Sequence, residues 1–69
     1  MTTNERSAQI ARALVEELGS QTAAAKLFGV AQPSISEWVK VGMSKTREND
    51  LRFRFPKLKT WKRFPPFGN

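Results

Sequence analysis

Apolar residues along this chain recur at helical rather than strand spacing over most of its length. Ile10, Ala11, Leu14 and Leu18 fall three and four residues apart, the period of a helix that buries one stripe. Ala-, Leu- and Glu-rich sequence surrounds them, Glu5 sits in the first turn, and Thr3 or Asn4 stands where a cap is wanted. The pattern predicts a first helix from about Asn4 to Leu18, stopped by Gly19. Ser20 then offers a new N-cap, and Gln21 to Phe28 reads as a second, Ala-rich helix with Ala24, Ala25, Leu27 and Phe28 available for packing. Gly29 ends it after about two turns, because glycine takes a left-handed conformation without a Cβ clash.

Val30 and Ala31 make the turn, and a third helix is expected from Gln32 to about Lys40, with Pro33 in the first turn, where a missing N–H costs nothing. Ile35, Trp38 and Val39 share one face of it, leaving Ser34, Ser36 and Glu37 on the other. Val41 and Gly42 close this helix, and Ser44 caps a fourth from about Lys45 to Phe55. That fourth segment carries two patterns. Leu51, Phe53 and Phe55 alternate with Arg52 and Arg54 as in a strand, yet Arg47, Leu51 and Phe55 recur every four residues. Pairing with Leu58–Trp61 would need a hairpin turn that Pro56-Lys57 does not supply. Helix is therefore expected to Phe55, then a turn or short helix folding Leu58 and Trp61 onto the core. Residues 1–63 are read as one domain and 64–69 as an irregular tail.

Composition narrows the chemistry. The chain has 69 residues, with neither Cys nor His. That excludes a disulfide framework, a thiol nucleophile, a zinc finger and an imidazole base, so no enzyme, metal site or cofactor is expected. No apolar run approaches the roughly 20 residues of a membrane span, and no signal-peptide core is visible. A soluble, cytoplasmic protein without a membrane partner is expected. The formal net charge is +6, unevenly placed. Up to Glu37, Arg6, Arg12 and Lys26 face Glu5, Glu16, Glu17 and Glu37, a net of −1; from Trp38 on, nine basic residues face Glu48 and Asp50, a net of +7. Such an excess suits a polyanion.

The segment from Gln21 to Lys40, QTAAAKLFGVAQPSISEWVK, has the spacing of a helix-turn-helix. Its steeply crossing helices need a small residue midway along the first, a glycine at the turn and apolar residues after it. Ala25, Gly29, Val30, Ile35 and Trp38 meet those needs and form the motif core. Any helical bundle also contains helix-Gly-helix corners, so what distinguishes a reader of DNA is the polar face between the core positions.

On these residues the sequence resembles the helix-turn-helix of the Cro and repressor family of phage and bacterial transcriptional regulators, particularly the Cro subgroup. The stretch from Val41-Gly42-Met43-Ser44 through Phe55-Pro56-Lys57-Leu58 is similar to the all-helical branch of Cro-like and YdaS-like proteins, whose fourth helix ends in an aromatic-Pro-x-Leu turn. The resemblance covers about Gly19 to Leu58. It implies an all-α bundle of four to five helices; the alternative is an α+β fold with the C-terminal β-hairpin of other Cro proteins.

The resemblance also implies a recognition helix at about Gln32–Lys40, lying in the major groove. Gln32 occupies the position where the family commonly reads adenine, in keeping with bidentate amide pairing. Pro33, Ser36 and Glu37 complete the base-facing set, although Pro33 and Glu37 depart from a common Cro pattern. Glu37 either accepts from cytosine N4 or is a solvated helix residue. Gln21 and Thr22 resemble positions that clamp phosphate through a helix N-terminus. Ser34, Lys26, Lys40, Lys45 and Arg47 are further phosphate candidates. Arg52, Arg54, Lys57, Lys59, Lys62 and Arg63 form a basic cluster with no acid between them, expected to flank DNA or add non-specific, salt-sensitive affinity.

The leading expectation is a sequence-specific double-stranded-DNA-binding repressor, dimeric on a palindromic operator. Its self-contact would use Phe53, Phe55, Trp61 or Phe64. A second expectation is a single-strand or RNA binder that stacks bases on those aromatics. A third is an antitoxin-like protein-binding adaptor with the motif as scaffold.

Overall fold

A computed structural model of the chain describes residues 3–65, with side chains from Glu5 onward. Among the described residues five helices follow one another: α1 Thr3–Leu18, α2 Gln21–Phe28, α3 Gln32–Val41, α4 Lys45–Arg54 and α5 Thr60–Arg63. No strand occurs among the described residues, so the all-α expectation holds and the C-terminal hairpin does not form. No helix among them is long and apolar enough to cross a membrane.

The local signals in the sequence act as expected. Ser20 caps α2, its Oγ accepting from the Ala23 N–H at 3.0 Å, and Ser44 caps α4 by accepting from the Arg47 N–H at 3.1 Å. Gly29 closes α2 at φ 73°, its N–H donating to the Ala25 carbonyl. A Cβ at Gly29 would meet no atom within 4 Å, so backbone conformation alone makes the demand for glycine there. The first cap falls differently: Thr3 and Asn4 lie inside α1, and whatever precedes them is outside the described residues.

One core unites the helices. Ile10 and Leu14 of α1, Phe28 of α2, Ile35 of α3 and Leu51 of α4 are its largest fully buried apolar side chains, joined by Ala24, Ala25, Met43 and Trp61. α1 packs on α2, α3 and α5, so its burial exceeds one stripe and takes in Ser7, Ala8 and Ala13, while Leu18 stays half-buried. In α4 the four-residue period prevails over the alternation. Leu51 is buried and Phe55 meets Phe28 with ring centroids 5.4 Å apart, whereas Phe53 is 86% exposed. Leu27 departs from its expected packing role and faces outward, 43% exposed.

After Pro56 the chain turns back as expected. Leu58 packs against the core, and Trp61 is buried with its indole N–H donating to the Phe55 carbonyl at 2.7 Å. Phe64 and Pro65, the described part of the segment expected as an irregular tail, are non-helical and engaged by the rest of the fold. Phe64 packs against the core, and the carbonyls of Phe64 and Pro65 accept from Arg52, that of Pro65 also from Arg6. Residues 66–69 lie outside the described part.

Candidate nucleic-acid interface

The candidate interface is the corner where the first turn of α2 meets the first two turns of α3. Ala25 is small and buried where the helices approach, Gly29 turns the chain, and Val30 and Ile35 fasten the far side to the core. α3 is thereby split into two faces. Ile35 is buried and Trp38 and Val39 pack partly against the core, while Gln32, Pro33, Glu37 and Lys40 are exposed. Ser34 and Ser36 are half-buried between the two faces, and the Ser34 N–H is engaged by the Ala31 carbonyl at 3.0 Å.

Two side-chain hydrogen bonds cross this corner. Ser36 Oγ donates to Gln21 Oε1 at 2.7 Å, and Thr22 Oγ1 donates to Gln32 Oε1 at 3.2 Å. Residues expected separately as phosphate and base contacts are thus coupled in pairs across the turn. The Gln21 and Thr22 N–H groups stand in the first turn of α2, ahead of any intrahelical acceptor, as an anion site at a helix start requires.

The cationic candidates divide. Lys26 is exposed one turn after Thr22 on α2, and Lys40 and Lys45 are exposed at the end of α3 and the start of α4. Arg47 is partly engaged: its guanidinium lies 5.5 Å from the Trp38 ring centroid and 4.0 Å from Asp50. The Arg52–Arg63 cluster does not act as one outward patch. Arg52 turns inward, donating through Nε and Nη2 to Glu48 Oε2 at 3.0 and 2.8 Å and stacking 4.5 Å from the Trp61 centroid. Arg54 pairs with Asp50 at 3.2 Å, and Arg63 lies over Phe64. Lys57, Lys59 and Lys62 remain exposed.

Three residues that sequence reasoning left as plain charges hold the frame. Glu48 is 4% exposed and shared between Arg52 and Arg6, the latter 3.7 Å away. Its position one turn before Arg52 was the available signal. Arg12 Nε donates to the Val39 carbonyl at 3.0 Å, tying α1 to the last turns of α3. Glu17 receives the Lys59 and Thr60 N–H groups at 2.7 and 2.9 Å and the Thr60 hydroxyl at 2.8 Å, capping α5 from 42 positions away in sequence. Partial desolvation opposes its charge, but these bonds and the Lys59 ammonium outweigh it and hold the carboxyl below its ordinary value.

Among the described residues no group of three Asp, Glu, His or Cys is arranged to hold a metal ion. Compared with protein-family models, curated proteins and solved structures, the chain matches none.

Proposed function

We propose that this chain is a sequence-specific double-stranded-DNA-binding regulator that represses by occupying an operator, with α3 as its recognition helix. The observation that carries the reading is the α2–α3 corner, whose left-handed Gly29 and core-anchored Ile35 leave Gln32, Pro33 and Glu37 exposed along one edge. The edge has the length and chemistry to enter a major groove. Gln21, Thr22 and the exposed Lys26, Lys40 and Lys45 flank it as phosphate contacts.

Ten residues of α3 span about 15 Å, which covers roughly four base pairs. Useful specificity therefore calls for two copies on an inverted repeat with half-sites about 34 Å apart. Of the four aromatics expected at a self-contact, Phe55, Trp61 and Phe64 are engaged with the core and Phe53 is left outward. Phe53 is thus the anchor of the dimer contact. One exposed ring per copy falls well short of the area of a stable interface, so the dimer assembles on DNA. The same burial argues against a base-stacking platform, since Arg52 already occupies the Trp61 face.

Enrichment of duplexes from a randomised pool, followed by gel shifts over a salt series, tests the reading. It predicts an inverted repeat, binding that weakens as salt rises, and a slope reduced by about one on removing a phosphate-contacting lysine. Equal affinity for all duplexes would contradict it.

A further inference from the structure

The two bonds across the α2–α3 corner fix which hydrogen-bonding groups α3 can offer outward. A serine hydroxyl has one hydrogen and two acceptor lone pairs. In Ser36 that hydrogen is directed to Gln21 Oε1 at 2.7 Å, so only lone pairs remain for any other partner. Glu37, the next residue, is exposed and as a carboxylate is acceptor-only. Gln32 differs from both. Thr22 takes one lone pair of its Oε1 at 3.2 Å and thereby sets the amide plane, leaving the second lone pair and both N–H donors of Nε2.

We infer that Gln21 is a positioning residue that makes Ser36 an acceptor, so that Ser36 and Glu37 together select major-groove edges bearing an amino group, with cytosine facing Glu37. The inference rests on the reading of α3 as a DNA-recognition helix. Guanine and thymine present acceptors where Ser36 and Glu37 also present acceptors, and neither pair can share a hydrogen. Adenine and cytosine both carry an amino group. Adenine places its N7 acceptor beside N6, which faces a carboxylate unfavourably, whereas cytosine N4 has no acceptor beside it on its own edge. Gln32, keeping both functions, retains the bidentate match to adenine N6 and N7. The recognition edge is therefore of mixed polarity at its start and acceptor-only one turn later.

The test is enrichment of duplexes from a randomised pool by wild type, S36A, E37A, E37Q and Q21A, with thermal unfolding to verify that each variant is folded. The operator columns that lose preference in S36A and E37A identify the base pairs facing those residues. The expected result is a C·G pair in the Glu37 column, favoured over A·T by about 5- to 150-fold. E37Q should move that column toward adenine. Q21A, which frees the Ser36 hydroxyl to donate as well as accept, should let the reversed orientation of the preferred pair into the Ser36 column while leaving the Glu37 column unchanged. An A·T pair preferred by wild type in the Glu37 column, or a Ser36 column unaltered in Q21A, would overturn the inference and leave the DNA-binding reading standing. Failure of wild type to enrich any duplex would overturn that reading, and the inference with it.

Discussion

The α2–α3 corner and the segment from Lys45 to Pro65 use charge in opposite ways. The corner is poor in charge, yet Gln32, Glu37 and Lys40 stand outward beside the exposed Pro33, with Ser34 and Ser36 half-buried. The later segment holds most of the basic residues but turns several of them onto itself: Arg52 to Glu48 and the Phe64 carbonyl, Arg54 to Asp50, Arg63 to the Phe64 ring. A charge excess counted along a sequence is thus a poor measure of the charge free to meet a partner. On the proposed reading, the near-neutral corner chooses the sequence and the basic segment mainly builds the frame.

The largest expected effect breaks that frame. Glu48→Ala would leave Arg52, and the partly covered Arg6, without their shared carboxylate. Removing one partner of a buried pair typically costs about 3–5 kcal/mol. A domain of this size has a total stability of only about 3–10 kcal/mol. Urea unfolding should therefore find the variant largely unfolded or close to it. A midpoint near wild type would mean that the inward charges are dispensable and the contrast overstated.

The next effect separates reading from folding. Gln32→Ala removes an exposed side chain, so stability should change by less than about 0.5 kcal/mol. Discrimination at one base pair should fall by about 1–3 kcal/mol in competition binding. A loss of affinity equal for all sequences would make Gln32 a backbone contact instead.

Much of the corner was legible in the sequence because its signals are local. Ser20, Gly29 and Pro33 each act on the backbone within a few residues of themselves, and they place the limits of α2 and the start of α3 where they were expected. The basic segment was harder to read because its determinants are distant. Glu17 meets Thr60 43 positions away, Arg6 meets Pro65 59 positions away, and no periodicity reports such pairings. Arg52 is the clearest case: its neighbours made it look like part of an outward cluster, while burial of Glu48 draws it inward. The same limit applies to Leu27 and Phe53, whose exposure is set by what packs around α2 and α4.

A smaller effect concerns the Glu17 cap on α5. Its carboxyl is held below the ordinary value, so the stabilisation is fully present above the usual carboxylate range, near pH 4.5, and disappears as pH falls through the lowered value. Glu17→Gln should flatten stability against pH in that acidic interval and cost about 1 kcal/mol at neutral pH. An unchanged acid profile would mean that the exposed carboxylate contributes nothing to the frame.

The smallest effect on stability, within about 0.5 kcal/mol, is expected for Phe53→Asp, because that ring is 86% exposed. The variant should still bind a single half-site normally and lose cooperativity on the inverted repeat, as read by gel shift. Retained cooperativity would remove Phe53 from the proposed self-contact.

The contrast between the two regions is tested most directly by recording backbone amide NMR spectra of the ¹⁵N-labelled protein while adding an enriched duplex. The largest shift changes are expected at Gln21, Thr22 and along Gln32–Lys40, with small changes from Arg52 to Arg63. Dominant changes at Arg54, Lys57, Lys59, Lys62 and Arg63, with the corner unaffected, would contradict the account.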